Sequence, residues 1–224
     1  MFDRIVLNIP HSSSLFPYGK ECWDKGLHEK IVRWTDWFTD ELFIADIPGV
    51  FPVVYPYSRF FCDVERLLND PLETIGQGIV YKEFEGLRRN LNTLDTNAIM
   101  DTYYAHIFKL RESIKENTLL IDCHSFPSDL SMIEVCIGFN DDWSRPDNSI
   151  IEQTVSHFEG AGYIVGINKP YSNSISPECS TVYSSMMIEV NKKVYLTRGL
   201  ACNLAKTRYL AHTIQSLYSA LLIA

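Results

Sequence analysis

Thr118-Leu119-Leu120-Ile121-Asp122-Cys123-His124-Ser125 decides the fold. It is apolar up to its last residues, as expected of a central strand buried on both faces of a sheet that helices cover on either side. The strand delivers His124-Ser125 at its C-terminal end, where ligands gather in open α/β sheets. Upstream, Ile5-Val6-Leu7-Asn8-Ile9-Pro10 is a second buried strand, ended by proline and opening onto His11-Ser12-Ser13-Ser14. Between them, Leu27, Ile31, Trp34, Phe38 and Leu42 recur at helical spacing and predict one amphipathic helix from Asp24 to Phe43. Val50 to Tyr57, broken by Pro52 and Pro56, suits an edge or irregular strand. Residues 69–92 read as a long excursion, and Ile99 to Ile114 as a helix capped near Thr93 or Asp95. Downstream, strands are expected at Ile133–Gly138, Tyr163–Ile167 and Met186–Val190. A helix is expected near Ile150–Gly160, and another through Leu200, Leu204, Ile214, Leu217 and Leu221. Alternating strands and helices without repeat or linker predict a single α/β domain, residues 1–224, with a largely parallel sheet.

Composition narrows the function. With 20 Lys+Arg against 28 Asp+Glu the net charge is −8, and no basic run appears, so a nucleic-acid or anionic-membrane surface is not expected and a small substrate is. A chain of 224 residues, 46% hydrophobic, can hold a core without disulfides or a structural metal, so a bound metal would serve function. No basic stretch followed by an apolar run marks a secretory signal, which leads to the expectation of a soluble, cytoplasmic protein. Cys22, Cys62, Cys123, Cys136, Cys179 and Cys202 form no C-x-x-C pair and read as reduced thiols.

His11 and His124 each follow a predicted strand and precede a serine, so they are either structural residues or two ligands of one shared site. Glu189, inside the apolar run Met186-Met187-Ile188-Glu189-Val190, is either a general base with a raised pKa or a residue alternated toward solvent. Asp36 and Asp40 lie one turn apart on the predicted helix, opposite its apolar stripe, which favours a solvated face. In Ser58-Arg59-Phe60-Phe61-Cys62-Asp63-Val64-Glu65-Arg66, charges interleave with aromatic and thiol side chains, as in paired, buried arginines that grip a carboxylate; a surface ion-pair cluster is the other reading.

In this order, Pro10-His11-Ser12-Ser13, Thr35-Asp36-Trp37, Ser58-Arg59-Phe60, Asp63-Val64-Glu65-Arg66, Asp122-Cys123-His124-Ser125, Lys169-Pro170-Tyr171 and Glu189-Val190-Asn191 resemble the N-formylglutamate amidohydrolase family. That family is similar to zinc carboxypeptidases. The resemblance implies a three-layer α/β/α sandwich with a mixed, largely parallel sheet, one Zn2+ and a glutamate base on a late strand. Residue by residue it implies His11 and His124 as metal ligands, Glu189 as base, Arg59 beside the oxyanion, and Arg66 with Asn173 as substrate-binding residues. The carboxypeptidase pattern expects Glu three residues after the first histidine, where Ser14 stands. Asp36 is therefore expected as the third ligand, with Asp40 and Asp63 as alternatives. Glu65 replaces the Asn of the carboxypeptidase Asn-Arg pair, and Ser12-Ser13 and Ser172-Asn173-Ser174 replace glycine-rich stretches of the family, which would re-line the pocket. The implied reaction is hydrolysis of an N-acyl amino acid, N-formylglutamate first, drawing a small anionic substrate. Another N-acyl amino acid or small acidic peptide, or a non-catalytic module binding an acidic metabolite, are the alternatives.

Overall fold

A computed structural model describes residues 1–223. In chain order the elements are β1 (Arg4–Ile9), α1 (Leu27–Trp34), α2 (Thr39–Phe43), β2 (Val50–Val54), β3 (Glu83–Phe84), β4 (Leu87–Arg88), α3 (Thr96–Ser113), β5 (Thr118–Phe126), β6 (Val135–Gly138), α4 (Asn148–Gly160), β7 (Val165–Ile167), β8 (Ser184–Asn191) and α5 (Leu204–Leu221). The main sheet has six strands in the order β2-β1-β5-β8-β6-β7. β2, β1, β5 and β8 run parallel, and β6 pairs antiparallel with β8 and parallel with β7. β2 is an edge strand, as Pro52 within it requires, because a proline cannot donate to a neighbour on a second side. β3 and β4 form a separate hairpin within the 69–92 excursion.

The period-2 alternation of the strands divides the molecule into three layers. Leu7, Ile9, Leu119, Ile121, Met186 and Ile188 face Leu42 and Phe43 of α2, Phe158 of α4 and Leu210, Ile214 and Leu217 of α5. Val6 and Leu120 face the opposite way, against Ile99, Tyr103, Ile107 and Leu110 of α3. Burying an aliphatic side chain of this kind contributes about 1.5–3 kcal/mol, so Leu110→Ala alone would cost about 2–5 kcal/mol. The carboxylate of Asp95 accepts the Ala98 N–H and caps α3, which selects between the two caps expected there. All six cysteines are free. Among the described residues no helix is long and apolar enough to cross a membrane.

The single helix expected from Asp24 to Phe43 is two helices. α1 ends at Trp34, the Asp36 N–H leaves the helical ladder to donate to the His11 carbonyl (2.9 Å), and Phe38 turns the chain through a left-handed conformation (φ 63°). The apolar spacing runs across the break because it serves two surfaces. Leu27 and Ile31 pack with Phe60, Tyr81 and Phe84, whereas Leu42 and Phe43 pack into the main core. Asp36 is consequently 2% exposed, on no solvated face.

Candidate active site

The register of β5 and β8 sets His124 directly opposite Glu189, and that of β1 and β5 sets Asn8 opposite Asp122. Alternation then turns Asn8, Asp122, His124 and Glu189 to the α3 side of the sheet, at or near the strands' carboxyl ends. His11 follows β1, and the Asp36 loop docks on its carbonyl. That loop is pinned by the Thr39 hydroxyl donating to the Asp36 carbonyl (2.8 Å), the Trp37 indole N–H to the Val32 carbonyl (2.8 Å) and the Tyr195 hydroxyl to the Trp37 carbonyl (2.7 Å). Lys192, itself buried, donates to the Arg33 carbonyl at the end of α1 (2.6 Å), where a cation complements the helix dipole.

His11 Nε2 lies 2.8 Å from Asp63 Oδ1. Since a carboxylate only accepts, Nε2 carries the proton and Nδ1 a lone pair. That Nδ1 is buried and has no hydrogen-bond partner, yet it lies 3.8 Å from Asp36 Oδ2 and 3.6 Å from Glu65 Oε2. On the second ring, His124 Nδ1 lies 3.1 Å from the same Asp36 Oδ2, and Nε2 lies 3.1 Å from Asp122 Oδ1 and 3.4 Å from Glu65 Oε1. Ligands of a tetrahedral zinc at about 2.0–2.1 Å stand about 3.3 Å apart. His11, Asp36 and His124, grouped within reach of one ion, match that spacing. On His11 the outer carboxylate of Asp63 is what a metal-ligating histidine ordinarily has, whereas His124 Nε2 stands 3.1 Å from Asp122 Oδ1 without a hydrogen bond. An orphaned buried lone pair facing carboxylates is therefore well suited to a divalent cation.

The electrostatics agree. Although burial alone would lower it, the carboxylates Glu65, Asp122 and Asp36 hold the His124 pKa well above its usual value, so a proton stands there without a metal. Asp36 stays below the carboxylate range despite burial, through the His124 hydrogen bond and charge and through Lys192. Asp63 is depressed further, against its burial, by Arg66, Arg59 and His11. Burial pushes Glu189 up to about 8, with His124 and Arg59 opposing and Asp36 and Glu65 adding.

A cavity of about 920 Å³ opens over this centre and is lined by Asp36, Arg59, Glu65, Arg66, His124, Asn173 and Glu189, among others. Of the residues expected in the site, His11, Asp36, His124, Glu189, Arg59, Arg66 and Asn173 thus converge. Of the two alternatives for the third ligand, Asp40 sits on α2 outside every candidate metal grouping, whereas Asp63 meets His11 at Nε2 and shares a grouping with His11 and Glu65. Both arginines are half-buried, and neither is an unpaired cation. Arg59 Nη2 donates to Asp63 Oδ2 (3.1 Å), Arg66 Nη2 lies 3.6 Å from the same oxygen, and the Tyr81 hydroxyl also donates to it. Asn173 takes a left-handed conformation (φ 74°), which asparagine tolerates, and its carbonyl passes so close to Gly138 that a Cβ there would stand 2.7 Å from it.

Several supporting residues were not singled out from the sequence. His106 of α3 donates Nε2–H to Asn8 Oδ1 (2.9 Å), Asn8 donates to Asp122 Oδ1 (2.8 Å), and the Ile175 N–H donates to Asp122 Oδ2 (3.1 Å). Burial lowers the His106 pKa to about 4, so this ring is neutral. Asn8 and Asp122 did carry a signal, since each is a polar residue inside an otherwise apolar strand and must find a buried partner. Tyr81, in the long excursion, carried none.

No curated protein matches this sequence. In three dimensions it resembles the crystal structure of N-formylglutamate amidohydrolase from Ralstonia eutropha JMP134, with TM-score 0.79 and 16% identity over 98% of this chain and 94% of that one. It also resembles gene product Atu2144 from Agrobacterium tumefaciens, with TM-score 0.64 and 16% identity over 98% and 92% of the two chains. At such identity the likeness speaks for the mixed, mostly parallel α/β fold. The sequence model of N-formylglutamate amidohydrolase matches residues 3–196, which takes in His11, Asp36, Arg59, Arg66, His124 and Glu189. The chain therefore belongs to the N-formylglutamate amidohydrolase family.

Proposed function

We propose that this chain hydrolyses the amide bond of an N-acyl amino acid, N-formylglutamate being the first candidate, with one zinc held by His11 Nδ1, His124 Nδ1 and the Asp36 carboxylate. The observation that carries this reading is the buried, partnerless Nδ1 of His11 facing Asp36 beside His124. Zinc, when bound, would supply Lewis acidity and bring the pKa of a coordinated water toward about 7. Glu189 would take the proton of the attacking water and pass it to the departing amine, and the burial that pushes its pKa up makes its carboxylate the stronger base. Arg59, fixed by Asp63 and Tyr81, would donate to the oxyanion as the acyl carbon becomes tetrahedral. Arg66, held by its Nε–H on the Gln77 carbonyl (3.2 Å), would orient a substrate carboxylate, with the Asn173 amide on the cavity wall. Because the two arginines share Asp63, they offer a small anion one net positive charge between them.

The cavity favours a second choice of substrate in the same chemistry. At about 920 Å³ it lies near the upper end of ligand pockets (~300–1,000 Å³), which leaves room for an acyl group or peptide larger than formyl. Assaying the zinc-loaded protein on N-formyl, N-acetyl and N-succinyl amino acids tests both. Release of glutamate from N-formylglutamate supports the first, and preference for a bulkier acyl group supports the second. Binding of these compounds without turnover of any would leave the acidic-metabolite-binding module as the function.

A further inference from the structure

The strand that carries Glu189 ends at Asn191, and the chain then makes one tight turn, Lys192–Val194, before Tyr195. Two side chains of that segment reach across to the Asp36 loop. Lys192 Nζ donates to the Arg33 carbonyl (2.6 Å), and the Tyr195 hydroxyl donates to the Trp37 carbonyl (2.7 Å). Those two carbonyls flank Thr35-Asp36, so the loop is gripped once on either side of the candidate third ligand. Between the grips, the Asp36 N–H is fixed on the His11 carbonyl (2.9 Å). The turn that supplies both donors is itself anchored. Asn191 Nδ2 donates to the Ser131 (3.1 Å) and Ile133 (3.0 Å) carbonyls, and the Tyr195 carbonyl accepts from the Asn203 N–H (3.0 Å) and the Thr207 hydroxyl (3.0 Å). Tyr195 is fully buried and Lys192 is 3% exposed. A lysine so buried is ordinarily paired with a carboxylate, yet the bond this one makes is to a carbonyl at the end of α1. Replacing a buried charge by an apolar residue is often neutral or favourable for stability, so the fold alone gives little reason for an ammonium here.

We propose that Lys192 and Tyr195 are positioning residues, a two-point clasp that holds the Asp36 carboxylate in register with His11 and His124. The inference rests on the metal reading above. Asp36 lies on a break between two helices, where no hydrogen-bonded ladder fixes its direction, so its aim has to come from tertiary bonds. The clasp supplies them from the segment that follows Glu189, and this ties the placement of the ligand loop to the strand that carries the base.

The test uses the full chain stripped of metal. Hydrogen exchange at the Asp36 amide, and Zn2+ affinity by competition with a chromophoric chelator, are compared in wild type, Tyr195→Phe and Lys192→Met. Leu217→Ala, which thins the main core on α5, is the control for a general loss of stability. The expected result is exchange at Asp36 about 10-fold faster and Zn2+ affinity about 10-fold weaker in both clasp variants, with a lower melting temperature but unchanged affinity in Leu217→Ala. Lys192→Met also takes a positive charge away from Asp36, which alone would strengthen binding of a divalent cation, so weaker binding there reads position and not charge. Exchange that is unchanged, or Zn2+ affinity that is unchanged or higher, in either clasp variant overturns the proposal and leaves the metal reading standing. An equal loss of affinity in Leu217→Ala also overturns it, because general softening of the fold would then suffice. If wild type takes up no Zn2+, the metal reading falls and this proposal with it.

Discussion

His11 gives its Nε2 proton to Asp63 across 2.8 Å, and that one bond decides which nitrogen of the ring remains available. Asp63 is fully buried and serves Arg59, Arg66 and Tyr81 at the same time, so it joins the candidate metal centre to the arginines that would handle the substrate. Asp63→Asn keeps the shape but leaves two half-buried guanidiniums sharing no carboxylate, beside a fully buried His11. It should lower stability by about 3–5 kcal/mol in denaturant titrations. Metal affinity should drop about 10–100-fold, as when an outer partner of a ligating histidine is lost. Unaltered stability and affinity would show that the pairing has no such role.

Glu189→Gln should retain metal and fold while losing about 10²–10⁴-fold in turnover, the usual worth of a positioned base. The same variant should change how the metal-free protein responds to pH. In the fold the Glu189 carboxyl keeps its proton up to about 8, whereas the unperturbed value is 4.5. Between these values the native state binds more protons than the unfolded chain, so this contribution to stability is complete below 4.5 and is lost as pH rises to about 8. Melting temperatures of the metal-free variant should therefore lack a decline that wild type shows across that window. Parallel curves would rule out a buried, proton-holding Glu189.

His106 gives the opposite dependence. Its folded pKa is about 4 against 6.5 unperturbed, so its contribution is complete above 6.5 and is lost as pH falls toward 4. His106→Gln, able to donate to Asn8 but unable to charge, should hold its melting temperature better than wild type between those values. Asn8→Leu should cost stability at every pH, because it leaves His106 Nε2 without its partner, at about 1–3 kcal/mol, and takes one of the hydrogen bonds that Asp122 accepts.

Cation binding should displace the proton on His124, because the carboxylates that raise its pKa are those facing the ion. Calorimetric titration with Zn2+ near neutral pH, in buffers of different ionisation enthalpy, should report about one proton released per chain, and affinity should weaken as pH falls. Binding without proton release would mean that His124 is not a ligand.

The layout of the sheet was legible because β1, β5 and β8 are apolar enough to leave no other reading, and the ends of those strands named His11, His124 and Glu189. Asp36 was the hard case. Helical periodicity spans the Thr35–Phe38 break since two different clusters supply the apolar residues on either side, and only the tertiary bond from the Asp36 N–H to His11 ends α1 there. The sequence order of the family motifs kept Asp36 in view where local pattern argued against it. Glu65 was visible only as a replaced asparagine, because its approach to both rings depends on the Asp63 turn and not on a periodic element. The Asn8–His106 bond was hidden for a similar reason, since its partners lie 98 residues apart in the chain.

The most direct measurement is a crystal structure of the purified protein with anomalous data at the zinc edge, alongside metal content for wild type, Asp36→Ala and Asp40→Ala. The account predicts one zinc per chain, bound by His11 Nδ1, His124 Nδ1 and Asp36, kept in Asp40→Ala and lost or strongly weakened in Asp36→Ala. A protein without zinc, or a zinc coordinated away from His11 and His124, would contradict it.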